Sequence, residues 1–106
     1  MKKLALTFLI LTGLGLSAGV QANDAEALAK KKNCLACHAV DKKLVGPAYN
    51  KIAVGKDPKG NEITIDRLVT SIMKGSSGKW GPIPMPPNPV SADEAKLLAE
   101  WIMTLK

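Results

Sequence analysis

Histidine occurs once in this 106-residue chain and cysteine twice. A protein zinc site asks for about four ligands; Cys34, Cys37 and His38 leave the fourth unsupplied. A disulfide between the two cysteines would close a loop of two intervening residues and so constrain little chain. Aromatic side chains make up only 4% of the composition. Phe8 lies in the N-terminal segment, which leaves Tyr49, Trp80 and Trp101 for a core. Something other than aromatic side chains is therefore expected to fill the centre. No alternating strand pattern and no internal repeat appear, which argues against a thioredoxin-like setting for Cys-x-x-Cys.

Long apolar runs are also missing. The longest, from Leu4 to about Leu16, is interrupted by Gly13 and Gly15 and falls short of the roughly 20 residues a spanning helix needs. It follows Lys2 and Lys3 and precedes the small-residue sequence Val20-Gln21-Ala22. That is the layout of a secretory signal peptide, so residues 1–22 are expected to be cleaved, leaving a domain over 23–106. Removal of Lys2 and Lys3 lowers the formal charge of +6 by two. No second span follows, so no stable membrane insertion is expected. A domain this short buries a thin core and needs a staple such as a metal, a disulfide or a large cofactor.

The periodicity predicts an all-α chain. Asp24 can cap a helix to about Lys32, with Ala25, Leu28 and Ala29 at i, i+3 and i+4. A short turn is expected over Ala48 to Ala53, after a loop from Asp41 to Pro47. Lys56 to Asn61 is polar and punctuated by Pro58 and Gly60, a surface loop. Thr64 is placed as an N-cap, Asp66 suits the first turn, and Gly75 stops the helix. Five prolines between Pro82 and Pro89 exclude regular structure there. Ser91 and Glu94 form a capping box for a last helix whose inner face is Leu97, Leu98, Trp101, Ile102 and Leu105.

Cys34-Leu-Ala-Cys37-His38 is the attachment pattern of c-type haem. Cysteines three apart are about one helical turn apart, so both sulfurs can reach the two vinyl groups on one porphyrin edge. The histidine that follows can turn beneath the ring to bind iron. With no second histidine, the other axial ligand is a methionine or nothing. Met73 falls on the apolar face of its helix and Met103 off the inner stripe of the last one. Met85 stands in a proline-stiffened loop, where holding a side chain in place costs little further entropy. Methionine/histidine ligation raises the potential and closes both iron faces, which suits electron transfer.

These residues, with Val45-Gly-Pro-Ala-Tyr49 and Trp80-Gly-Pro-Ile-Pro-Met-Pro-Pro-Asn88, resemble the small bacterial cytochrome c551/c552 family over essentially all of 23–106. The resemblance implies the small class I cytochrome c fold, with N- and C-terminal helices crossing beside one covalently bound haem c. It implies His38 and Met85 as axial ligands and Cys34 and Cys37 as thioether anchors. It also implies that the Pro47 carbonyl accepts from the free ring nitrogen of His38. Asn88 would bond near the Met85 sulfur, and Trp80 would reach a haem propionate. Two features depart from the pattern. Ser71 stands where members often carry a basic residue, which puts propionate neutralisation in doubt, and the Lys56 to Ile63 stretch is longer than usual.

The resulting expectation is a periplasmic electron carrier, not an enzyme, serving respiratory partners such as a bc1-type donor and a nitrite reductase or terminal oxidase acceptor. Docking would be transient, Lys42, Lys43, Lys74 and Lys79 could form a basic rim, and a monomer is the default at this size. Nucleic acid is not an expected partner, because of the export signal and thin aromatic content. The alternative is a haem peroxidase or ligand-sensing protein with Met85 displaced. A metal-free thiol–disulfide module would be colourless.

Overall fold

A computed structural model describes residues 22–106. The expected signal peptide lies outside the described residues except for Ala22, where the first helix begins. Four α-helices follow in order: α1 Ala22–Lys31, α2 Tyr49–Ile52, α3 Ile65–Lys74 and α4 Ala92–Ile102, with a 3₁₀ turn over Cys34–Ala36 between α1 and α2. Among the described residues there is no strand, only three isolated bridges, His38 to Lys43, Lys56 to Glu62 and Ser76 to Met85.

Local chemistry sets most helix ends. The Thr64 hydroxyl accepts from the Arg67 amide at 3.1 Å, and Gly75 ends α3 at φ 86°, a left-handed value that glycine adopts without penalty. Ser91 and Glu94 exchange the two bonds of a capping box at 3.1 and 2.9 Å. The Ser91 backbone amide, donating to Glu94 Oε1, holds that carboxyl below its ordinary range. The first helix differs from expectation: it starts before Asp24, which lies inside the first turn as a favourable charge on the helix dipole, not as its cap.

α4 is the spine, packing against α1 and α3. Leu98, Trp101 and Ile102 are buried as the apolar stripe predicts, whereas Leu97 and Leu105 are only partly so. The fully covered small residues Ala25, Ala29, Ala95 and Ala99 come from α1 and α4. Side chains without bulk let two helix backbones approach closely. Few large residues reach the middle; Leu98 is the only large side chain below 2% exposure among the described residues. A cavity opens where a larger chain would keep its core.

Candidate haem site

One wall of that cavity is the Cys-x-x-Cys-His segment. Asn33 takes a left-handed conformation, φ 64°, and turns the chain out of α1. The Cys37 and His38 amides then donate to the Cys34 carbonyl at 3.2 and 3.0 Å. This single tight turn brings both cysteines and His38 to one cavity wall. Burial pushes the Cys34 thiol up.

His38 is only 8% exposed. Its Nδ1 lies 2.7 Å from the Pro47 carbonyl. A carbonyl can only accept, so Nδ1 carries the proton and Nε2 keeps its lone pair. Burial lowers the imidazole's pKa more than the Pro47 carbonyl raises it, which favours the neutral form. The ring also stacks on Tyr49, centroids 4.8 Å apart at 20°, and Tyr49 in turn meets Trp101 edge-on at 5.6 Å. Burial drives the Tyr49 phenol far above its ordinary value, so it stays protonated. Gly46 borders the same ring so closely that a Cβ there would stand 2.5 Å from His38 Cε1.

The opposing wall is the proline-rich loop. Met85 exchanges two backbone bonds with Ser76, at 2.7 and 2.9 Å. Asn88 adds two more links to the end of α3, its backbone amide donating to the Ile72 carbonyl at 3.0 Å and its side-chain amide to the same oxygen at 2.9 Å. Lys32 closes the rim, its Nζ donating to the Pro89 carbonyl at 3.0 Å. Trp80, Met85 and Asn88 line the cavity together with Cys34, Cys37 and His38. Its volume is about 420 Å³, within the range of small-molecule and cofactor sites. Two thiols and an unprotonated imidazole nitrogen on one wall, facing a thioether in a mainly apolar space, are donor types that could hold a covalently attached haem.

Comparison with known proteins agrees. The family model described as Cytochrome c matches residues 22–106. This chain belongs to the cytochrome c family. It is 50% identical over 106 residues to cytochrome c-551 of Stutzerimonas stutzeri, covering 100% of both chains. It is 57% identical over 81 residues to cytochrome c-551 of Pseudomonas denitrificans, covering 76% of this chain and 96% of that one. The crystal structure of wild-type Nitrosomonas europaea cytochrome c552 superposes with a TM-score of 0.68 at 51% identity, covering 76% of this chain and 99% of that chain.

As a small cytochrome c of the c-551/c-552 kind, the protein is an electron carrier and not an enzyme, with one covalently bound haem c whose attachment motif Cys34 and Cys37 fit. When bound, the haem supplies a one-electron couple at its iron; the chain's own residues hold and orient it. The fold is the expected class I cytochrome c fold. No helix among the described residues is long and apolar enough to cross a membrane.

The site residues read from sequence, Cys34, Cys37, His38, Pro47, Trp80, Met85 and Asn88, all line the cavity, and one expected contact differs. The Asn88 side-chain amide donates to the carbonyls of Ile72 and Pro86, at 2.9 and 3.4 Å, so it fastens the methionine loop to α3. The bond expected near the Met85 sulfur is not among its contacts. Gly46 and Ser76 also shape the site, and Tyr49, expected only as a core aromatic, stacks on His38. The Val45-Gly-Pro-Ala-Tyr49 block points to Gly46 and Tyr49, whereas nothing local in the sequence points to Ser76.

Proposed function

We propose that this cytochrome c is exported to the periplasm and shuttles single electrons between respiratory redox complexes, with His38 and Met85 as axial ligands and Cys34 and Cys37 as thioether anchors. The observation that carries the reading is the 2.7 Å contact from His38 Nδ1 to Pro47, which leaves Nε2 as the free donor on a wall facing the Met85 loop. Pro47 then orients a metal ligand from the second layer. Ligands held by backbone bonds on both sides move little when the iron changes charge, which keeps reorganisation small. Trp80 lines the same cavity, which supports the reading that its indole N–H donates to a propionate.

Absorbance of the matured protein tests the ligation. The reduced form is expected to show sharp c-type bands and the oxidised form a weak far-red sulfur-to-iron band. High-spin ferric iron without that band would remove Met85 from the iron and favour a peroxidase or ligand sensor.

Partners are expected to dock transiently at the cavity mouth. Val45 and Ile83 are 51% and 64% exposed there. Lys43 and Lys79 line the same opening; Lys42 and Lys74 are exposed but do not line it. An apolar patch flanked by lysines suits an acidic redox protein. Electron-transfer rates with such a partner should fall as salt rises, and Lys43→Glu with Lys79→Glu should slow the low-salt rate by roughly tenfold or more and flatten the salt dependence. Rates indifferent to both salt and charge reversal would discard the basic rim.

A further inference from the structure

Haem c carries two carboxylates on an otherwise apolar macrocycle, so the charged groups at the cavity wall decide how those carboxylates are met. Six charged side chains line it: Lys32, Lys43, Arg67 and Lys79 against Asp57 and Glu62. Lys32 is tied down, and the other two lysines lie on other segments of the wall. Lys32 donates to the Pro89 carbonyl at 3.0 Å. Lys43 belongs to the histidine wall, where its backbone is bridged to His38. Lys79 lies in the loop that leads to Met85, and the Asp57 oxygens already accept from the Lys59 and Asn61 amides and the Asn61 side chain.

Arg67 has no such partner. Among the described residues the ion pair within contact distance is Lys30 with Glu26, and it does not involve Arg67. On α3, Arg67, Leu68, Ser71 and Ile72 share the face that lines the cavity, and Arg67 is exposed at its edge. Ser71, one helical turn further on, carries no charge. A guanidinium presents a planar fork that matches a carboxylate with two parallel bonds.

We infer that Arg67 is the cationic partner of a haem propionate, a positioning and tuning residue that supplies from one turn earlier the charge Ser71 lacks. The inference rests on haem occupancy of this cavity. A guanidinium beside a carboxylate favours its ionised form. With Arg67 present the propionate stays negative through the neutral range, and the reduction potential is correspondingly insensitive to pH there. Without it, the propionate ionises at higher pH. Because an ionised propionate stabilises ferric iron, the potential then falls across the pH range in which that proton leaves.

The test is a spectroelectrochemical titration of holoprotein from about pH 5 to 9, native against Arg67→Gln. The pH-dependent segment is expected to move to higher pH in Arg67→Gln. Arg67→Lys, which keeps the charge but not the fork, should move less in the same direction. The double variant Arg67→Ser with Ser71→Arg should return the profile towards native, which a merely structural loss would not. An Arg67→Gln profile that superimposes on the native one overturns the inference. If that variant does not accumulate as holoprotein, an Arg67→Met profile that superimposes on the native one does the same. The far-red band of each sample reports Met85 ligation separately, so a failure of the ligand assignment is not confused with a failure at Arg67.

Discussion

Gly46→Ala is expected to destabilise the holoprotein by about 2–4 kcal/mol and to disturb the iron's histidine side, although Gly46 is not a ligand. Its added Cβ would stand 2.5, 2.9 and 3.0 Å from His38 Cε1, Nδ1 and Nε2. All three contacts are at or below the distance real side chains tolerate, and they are with the ring itself, not the flexible end of a long chain. The ring has little room to retreat. Tyr49 stacks on one face, Tyr49 is itself 4% exposed against Trp101, and the Pro47 carbonyl holds Nδ1 at 2.7 Å. Overpacking of this kind costs about 1–3 kcal/mol, and losing the Nδ1 bond adds roughly 0.5–1.5 kcal/mol. Denaturant unfolding of the oxidised holoprotein reads the first effect, and its low-spin electron paramagnetic resonance signal, sensitive to how the imidazole is turned, reads the second. Gly60→Ala is the control: Gly60 has φ 86° but nothing within 4 Å of a Cβ, so it bears backbone strain without touching the site. A Gly46→Ala protein matching native in both readouts would mean that the ring has freedom the structure does not give it.

That prediction depends on contacts with no signature in the sequence, whereas much else was legible. Cys34 and Cys37 fit the family's haem-attachment motif by identity and spacing alone. Thr64, Gly75, Ser91 and Glu94 act within one turn of themselves, so short-range rules placed α3 and α4 correctly. What escaped was either small or non-local. Leu97 and Leu105 belong to the inner face that the stripe predicts, yet they are only partly buried while Ala95 and Ala99 are fully so, because close helix packing rewards the absence of a side chain. By sequence the Met85 loop is stiffened by its prolines. Proline rigidity restrains the loop's shape, but its position comes from Ser76, nine residues earlier, and from Ile72, sixteen residues before Asn88. Pairings over that separation leave no periodic trace. The aromatic stack of His38, Tyr49 and Trp101 likewise joins three elements that only the folded chain brings together.

The same reasoning singles out Gly75 as the position on which the methionine side depends most. Its backbone angles, φ 86° and ψ 173°, fall in a region essentially reserved for glycine, where another residue costs of order 1–3 kcal/mol. A Cβ there would also meet the Met85 carbonyl oxygen at 2.7 Å and the Pro87 nitrogen at 3.1 Å. That oxygen accepts from the Ser76 amide at 2.9 Å, so alanine would force the chain to give up either the helix exit or the bridge that positions Met85. Gly75→Ala is therefore expected to lose about 2–4 kcal/mol, combining this strain with overpacking, and to weaken or abolish the far-red band while leaving haem attachment at Cys34 and Cys37 intact. The two glycines thus separate the halves of the site: Gly46→Ala acts through the histidine and Gly75→Ala through the methionine. Gly78→Ala, in the same loop at φ 78° with nothing within 4 Å of a Cβ, should bear strain yet keep the band. If Gly75→Ala kept a native far-red band while Gly78→Ala lost it, the Ser76–Met85 bridge would not be what holds the methionine, and the loop's prolines would have to do so alone.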